Sequence, residues 1–219
     1  MATTPLKTLT LRPSKAPNLP IAPAEYTQQY QDQLNNALRL YFNQIDNFSQ
    51  PFTSNAGGGY LKFPSGAYQS LQTQTPSAIN TPKLIVLDTV NYENGMYRVL
   101  GDGIHFQIPG RYNVQFSAQI TNSDTQNHDV DIWLRQNGID LANSASVATV
   151  LSTHGGQPGY FVLAANFFIE ANINDYIEFW WSTNSTQVSL NYLPAITTPF
   201  TSPGAPSFIA TVSFVSALY

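Results

Sequence analysis

The chain has 219 residues, 42% hydrophobic and 13% aromatic, enough to bury one sizeable core and leave an extension. Only 10% are charged, against about 25% in an average soluble domain, so Asn, Gln, Ser and Thr must supply the surface polarity. A net charge of −4 excludes the basic stripe of a nucleic-acid binder, and the absence of cysteine excludes disulfides, a thiolate nucleophile and thiolate metal ligands.

Residues 1–20, "MATTPLKTLTLRPSKAPNLP", lack the apolar centre of a secretion signal, and no run nears the roughly 18 apolar residues of a membrane span. The expectation is assembly in the cytoplasm without membrane insertion. Residues 1–23 carry Pro5, Pro13, Pro17, Pro20 and Pro23. Proline fixes φ and removes a donor, so this stretch reads as an extended arm. Leu6, Leu9, Leu11, Leu19 and Ile21 make it more apolar than a plain tail. The arm either lies along a surface or is a disordered start.

Residues 24–50 read as one helix, entered after Pro23 and ended by Pro51. Leu34, Leu38, Tyr41, Ile45 and Phe48 are spaced 4-3-4-3, the seam of a coiled coil. Two heptads are too short to stand alone in water, so the seam meets either its own domain or copies of itself. Residues 51–82, with three consecutive glycines and scattered prolines, read as a connector holding one short strand near Gly66 to Leu71.

From Lys83 to Tyr219 the period is that of strands. "KLIVLD" is short and apolar; "NYENGMYRVLGDGIHFQIPG" reads as a hairpin with turns at Asn94-Gly95 and at Gly101 to Gly103. "YNVQFSAQI" alternates, with Tyr112, Val114, Phe116, Ala118 and Ile120 on one side. "DVDIWLRQ", "SVATVLS", "YFVLAANFFIE", "DYIEFWWS", "TQVSLNYL" and "SFIATVSFVSALY" complete the set. Short strands at regular spacing predict a mainly β sandwich, jelly roll or barrel over 83–219, preceded by the arm and one helix.

Several of these strands are apolar on both sides. Phe161, Leu163, Ala165, Phe167 and Ile169 form one row of their strand; Tyr160, Val162, Ala164 and Phe168 form the other. Ile177, Phe179 and Trp181 oppose Tyr176 and Trp180, while Trp133 and Arg135 occupy the side of their strand that water should meet. An antiparallel sheet dry on both faces needs a second body: a closed oligomer, or loops folded back over the sheet. Aromatic residues and arginine favour interface cores, so the interface candidates are Trp133, Arg135, Phe161, Phe167, Phe179, Trp181, Phe214 and Tyr219.

Phe106, Pro109, Gly110, Tyr112, Val114 and Phe116, followed by Asn137-Gly138, resemble the jelly rolls of the tumour necrosis factor and complement globular-head family. The late strand opens on Asn174-Asp175 where that family has Gly-Asp, and the closure through Phe214 and Leu218 lacks its glycine. The front segment "APNLPIAPAEYTQQYQDQLNNALRLYFNQIDN", and the run "IWLRQNGIDLANS", are similar to virion proteins of tailed bacteriophages. The resemblance implies an antiparallel jelly-roll sandwich over 83–219 and a homotrimer located in the virion, with arm and helix attaching it to major capsid or tail proteins. The expected role is capsid decoration. A tail fibre holding host-surface glycan or protein is the alternative, with Tyr160, Trp180 and Tyr192 as weak stacking candidates. A non-viral, complement-like ligand-binding module is the second.

Catalytic patterns are sparse. His105, His128 and His154 lack ligand spacing, and Ser152 near His154 has no nucleophile elbow. Asp124, Asp129 and Asp131 around His128 read either as solvated turn carboxylates or as loop oxygens for calcium. A glycosidase pair needs only proximity in space, which sequence does not display. The expectation is a non-enzymatic protein with no metal and no cofactor.

Overall fold

The computed structural model describes residues 17–53 and 63–218. The first part of the arm, the triple glycine and the interface candidate Tyr219 lie outside the described residues. The chain divides into two units, residues 1–62 and 63–219.

In the first unit, α1 spans Gln28–Thr53. Its start is set by Thr27 rather than by Pro23. The Thr27 hydroxyl accepts the Tyr30 amide at 3.3 Å, satisfying one of the donors that a helix leaves open at its N-terminus. The helix ends just past Pro51, somewhat beyond the expected boundary. Leu34, Leu38, Tyr41 and Ile45 line one face half-buried, with Phe48 at its end more exposed. Leu40 and Phe42 are exposed off the seam. No helix among the described residues is long and apolar enough to cross a membrane.

The second unit is an antiparallel jelly-roll sandwich of β1 (Ser65–Ser70), β2 (Lys83–Leu84), β3 (Thr89–Asn94), β4 (Met96–Val99), β5 (Gly103–Phe106), β6 (Gly110–Asn122), β7 (His128–Gln136), β8 (Ile139–Asp140), β9 (Ser146–Val150), β10 (Gly159–Ala171), β11 (Tyr176–Thr183), β12 (Val188–Leu190) and β13 (Phe208–Ser216). One sheet runs β10-β6-β13-β1-β3, with β12 beside the end of β6. The other runs β4-β5-β11-β7-β8, with β2 also on β11 and β9 also on β7.

Alternation decides which side of each strand is dry. Tyr112, Val114, Phe116, Ala118 and Ile120 of β6 are buried, and β10 and β13 bring Leu163, Ile169, Phe208, Ala210 and Val212 to the same face. From the opposite sheet come Val130, Ile132, Leu134, Ile177, Phe179 and Trp181. Phe116, Phe179 and Phe208 form the aromatic centre, with ring centroids 5.1–5.9 Å apart.

Two expectations change here. The sandwich begins at Phe63, not at Lys83: the short strand placed in the connector is β1, which lies inside its sheet between β13 and β3. Tyr68 fills the core from β1, and a side chain at Gly66 would meet its hydroxyl at 2.5 Å, so glycine is required there. The buried Gln74 then ties the following segment down. Its side chain donates to Ser70 Oγ at 3.0 Å and to the Val86 carbonyl at 3.1 Å, and accepts the Val86 amide at 2.9 Å. Asn94-Gly95 is not a hairpin turn either. Gly95, at φ +67°, passes the chain from β3 in one sheet to β4 in the other. The Asn137-Gly138 turn does join β7 to β8, with both residues at positive φ.

Two buried phenols make an alkaline signature. The Tyr112 hydroxyl donates to the Ile108 carbonyl, and desolvation pushes its pKa up to about 12. Tyr68 is pushed up further by burial and by Glu93. A raised folded pKa favours folding below the ordinary phenol value of about 10, and that contribution is lost as pH rises through the folded pKa. Melting temperature should hold to about pH 10 and fall steeply from there toward 12, whereas Tyr112→Phe should flatten part of the decline.

Candidate functional site

Three surfaces carry the side chains singled out in the sequence. The first is β10, the end strand of its sheet. Its inward row leans on the core through Phe167, while Phe161, near the strand start, is exposed. Its outward row leaves Tyr160, Val162 and Phe168 61%, 54% and 62% exposed, with Leu151 exposed near the strand start. The neighbouring outward row on β6 is polar: Asn113, Gln115, Ser117 and Gln119. β10 has no Lys and no Pro to protect its open edge, and its one charge, Glu170, is paired with Arg111 near the strand end. A shallow depression of about 510 Å³ adjoins it, bordered by Gln115, Ala164, Asn166, Ile209 and Thr211.

The second surface is the outer face of the β7 sheet, where Trp133 and Arg135 lie. The Trp133 indole N–H donates to Asp140 Oδ1 at 2.7 Å, and Arg135 Nε donates to the same oxygen. The guanidinium lies 3.8 Å over the Trp180 ring, a cation–π contact within the chain. These donors hold the Asp140 carboxyl below the usual carboxylate range, Arg135 first and Trp133 second. Tyr97, His105 and Tyr176 stack at 5.1 Å intervals across β4, β5 and β11 on the same face. The sheet therefore half-covers its own second face.

That arrangement corrects part of the interface set. Phe179 and Trp181 are 1% and 0% exposed and point into the chain's own core, so neither is free to form an interface. Phe167 and Phe214 pack partly buried against that core. Alternation separates two rows on a strand but does not say which row faces inward when both are aromatic. The stacking candidates do not converge. Tyr160 is on the outer side of the β6 sheet, Trp180 is on the outer side of the β7 sheet under Arg135, and Tyr192 follows β12, its amide bonded to Thr73 Oγ1.

The third surface is one end of the sandwich. His128 Nε2 lies 2.8 Å from Asp124 Oδ2 and its Nδ1 lies 3.0 Å from Asn184 Oδ1. The His128 contact, then the Thr125 amide, holds the Asp124 carboxyl below its usual range. Asn122 closes this end, its side-chain amide facing the carbonyls of Gln126, Val150 and Leu151. His105 pairs with Asp102 at 3.0 Å, and His154 closes a tight turn with Gln157. Among the described residues no group of three or more His, Asp or Glu side chains is placed to hold a metal. Asn174 takes φ +69° at the opening of β11, the conformation a glycine would adopt with least strain there.

No protein-family model matches the chain, and no curated protein matches it. Among solved structures, the chain is similar in backbone to the crystal structure of murine APRIL at pH 8.5. The identity is 9%, with 70% of this chain and 100% of that chain covered, and a TM-score of 0.44.

Proposed function

We propose that this protein is a non-enzymatic structural component of a tailed-bacteriophage particle. It is a homotrimeric decoration protein, with the sandwich as an outward knob and the arm and helix as its anchor to the capsid. The observation that supports self-association is β10: a long open edge, apolar on its outward row and bare of protective charge. Three copies arranged as a closed ring set β10 of each against the depression on the next, which covers the outward apolar row of β10. The helix seam from Leu34 to Phe48 is a second contact among copies, and few charges elsewhere suit a surface crowded by neighbours.

Light scattering on the whole chain should give a mass of three copies that persists on dilution into the micromolar range. Antibody labelling of intact particles should then mark the head, and deletion of residues 1–23 should abolish particle binding without changing the oligomer. A single-copy species overturns the reading. Label on the tail replaces decoration by a tail-fibre role.

A further inference from the structure

On the outer face of the β7 sheet, beside the ring that Arg135 covers, is a depression of about 370 Å³. Its floor includes the Trp133 indole, and Asp131, Asp140, Leu141, Asn143 and Ser182 surround it. Register explains how they meet. Ser182 of β11 faces Asp131 of β7, Trp180 faces Trp133, and the β7–β8 hairpin folds Asp140 back beside Arg135. Asn143 itself takes φ +63° in the turn that follows β8.

The polar groups of this cup are of two kinds. Asp140 Oδ1 is occupied by Trp133 and Arg135, and those bonds fix the indole in place. Asp140 Oδ2, both oxygens of Asp131, the Asn143 amide and the Ser182 hydroxyl have no hydrogen-bond partner among the described residues. The cup thus offers one rigid aromatic face with four acceptor oxygens and a few donors around it. Asp131 is also held above the usual carboxylate range, by partial burial and then by Asp129, so it gains from any donor that reaches it.

We infer that this cup is a binding site for a neutral sugar ring, with Trp133 stacking under the pyranose and Asp131, Asp140, Asn143 and Ser182 taking its hydroxyls. A pyranose has the required pair of properties, a C–H face that packs on an indole and a rim of O–H groups that donate to carboxylates. A cationic ligand fits less well, because the Arg135 guanidinium already lies against the adjoining indole. An acidic sugar meets two carboxylates. The site goes beyond the proposed assembly and does not depend on it, since it lies on the sheet opposite β10.

The test is titration of the full chain with the methyl glycosides of glucose, galactose, mannose and N-acetylglucosamine, read by tryptophan emission and by saturation-transfer NMR. At least one should saturate in the millimolar range expected of a shallow single-ring site, about 1 mM. Trp133→Ala should weaken it by on the order of tenfold, Trp133→Phe less, and Asp131→Asn by several-fold, with melting unchanged. Trp180→Phe should leave it unaltered. N-acetylneuraminic acid should bind on the order of tenfold more weakly than the best neutral glycoside. If Trp133→Ala fails to fold, Asp131→Asn and Ser182→Ala carry the comparison. Absence of saturation by every glycoside up to about 0.1 M, undiminished binding by folded Trp133→Ala, or saturation by tetramethylammonium in place of the sugars would overturn the assignment. Val162→Asp with Phe168→Asp should bind the sugar normally, so a failure of assembly and a failure of this site show separately.

Discussion

Replacing Val162 and Phe168 together by aspartate should separate the copies while leaving each sandwich folded. Both side chains point outward from β10 and are more than half exposed within one protomer, so folding does not rely on burying them. Aspartate is a poor strand former, and the cost of each substitution to the protomer is at most about 1 kcal/mol. Between copies the effect is far larger. Two aromatic or branched contacts are lost, and each closed ring would bury charges that have no partner. Light scattering at micromolar concentration should move from three copies to one, while circular dichroism and melting of the sandwich change little. A double variant that stays trimeric places the association elsewhere, with the helix seam next to be tested through Leu38→Asp and Ile45→Asp.

Phe179→Ala should be damaging for the opposite reason. Its ring lies 5.1 Å from Phe208 and 5.9 Å from Phe116, at the centre of the core. Truncating a buried phenylalanine removes its transfer energy and leaves a cavity, costing about 3–5 kcal/mol. For a domain of this size that is a drop of roughly 10 °C in melting temperature. The loss should be the same in the Val162→Asp/Phe168→Asp background, because the contacts lie within one chain. A loss that vanishes in that background would return Phe179 to the interface.

The two predictions separate residues that look alike in sequence. "YFVLAANFFIE" and "DYIEFWWS" both show two apolar rows, and alternation sorts each row correctly. It carries no sign for inward or outward. In β11 the covering of Tyr176 and Trp180 comes from His105 and Arg135, which reach them from other strands through pairing. The sandwich as a class and the helix were legible because each rests on local period, and the Asn137-Gly138 turn was legible through the family resemblance. β1 was legible as a short strand but not as part of the sandwich. "SGAYQS" is short and small-residued and is followed by prolines, so nothing local ties it to β13 and β3, which reach it only through long-range pairing. The Trp133 cup was also beyond sequence: Asp140 and Ser182 reach it only through a hairpin and a cross-strand register.

The place of β1 has a mechanical consequence. Phe63 stacks on Phe214, and Ser65 to Ser70 run antiparallel to β13 and β3 at once, flanked by ladder bonds on both sides. Tension arriving through residue 63 therefore pulls along the strand axis and loads many rungs in parallel. A strand gripped that way slides only when all its rungs fail together, so the sandwich should withstand force applied at residue 63 far better than one loaded through a peripheral strand peeled off one rung at a time.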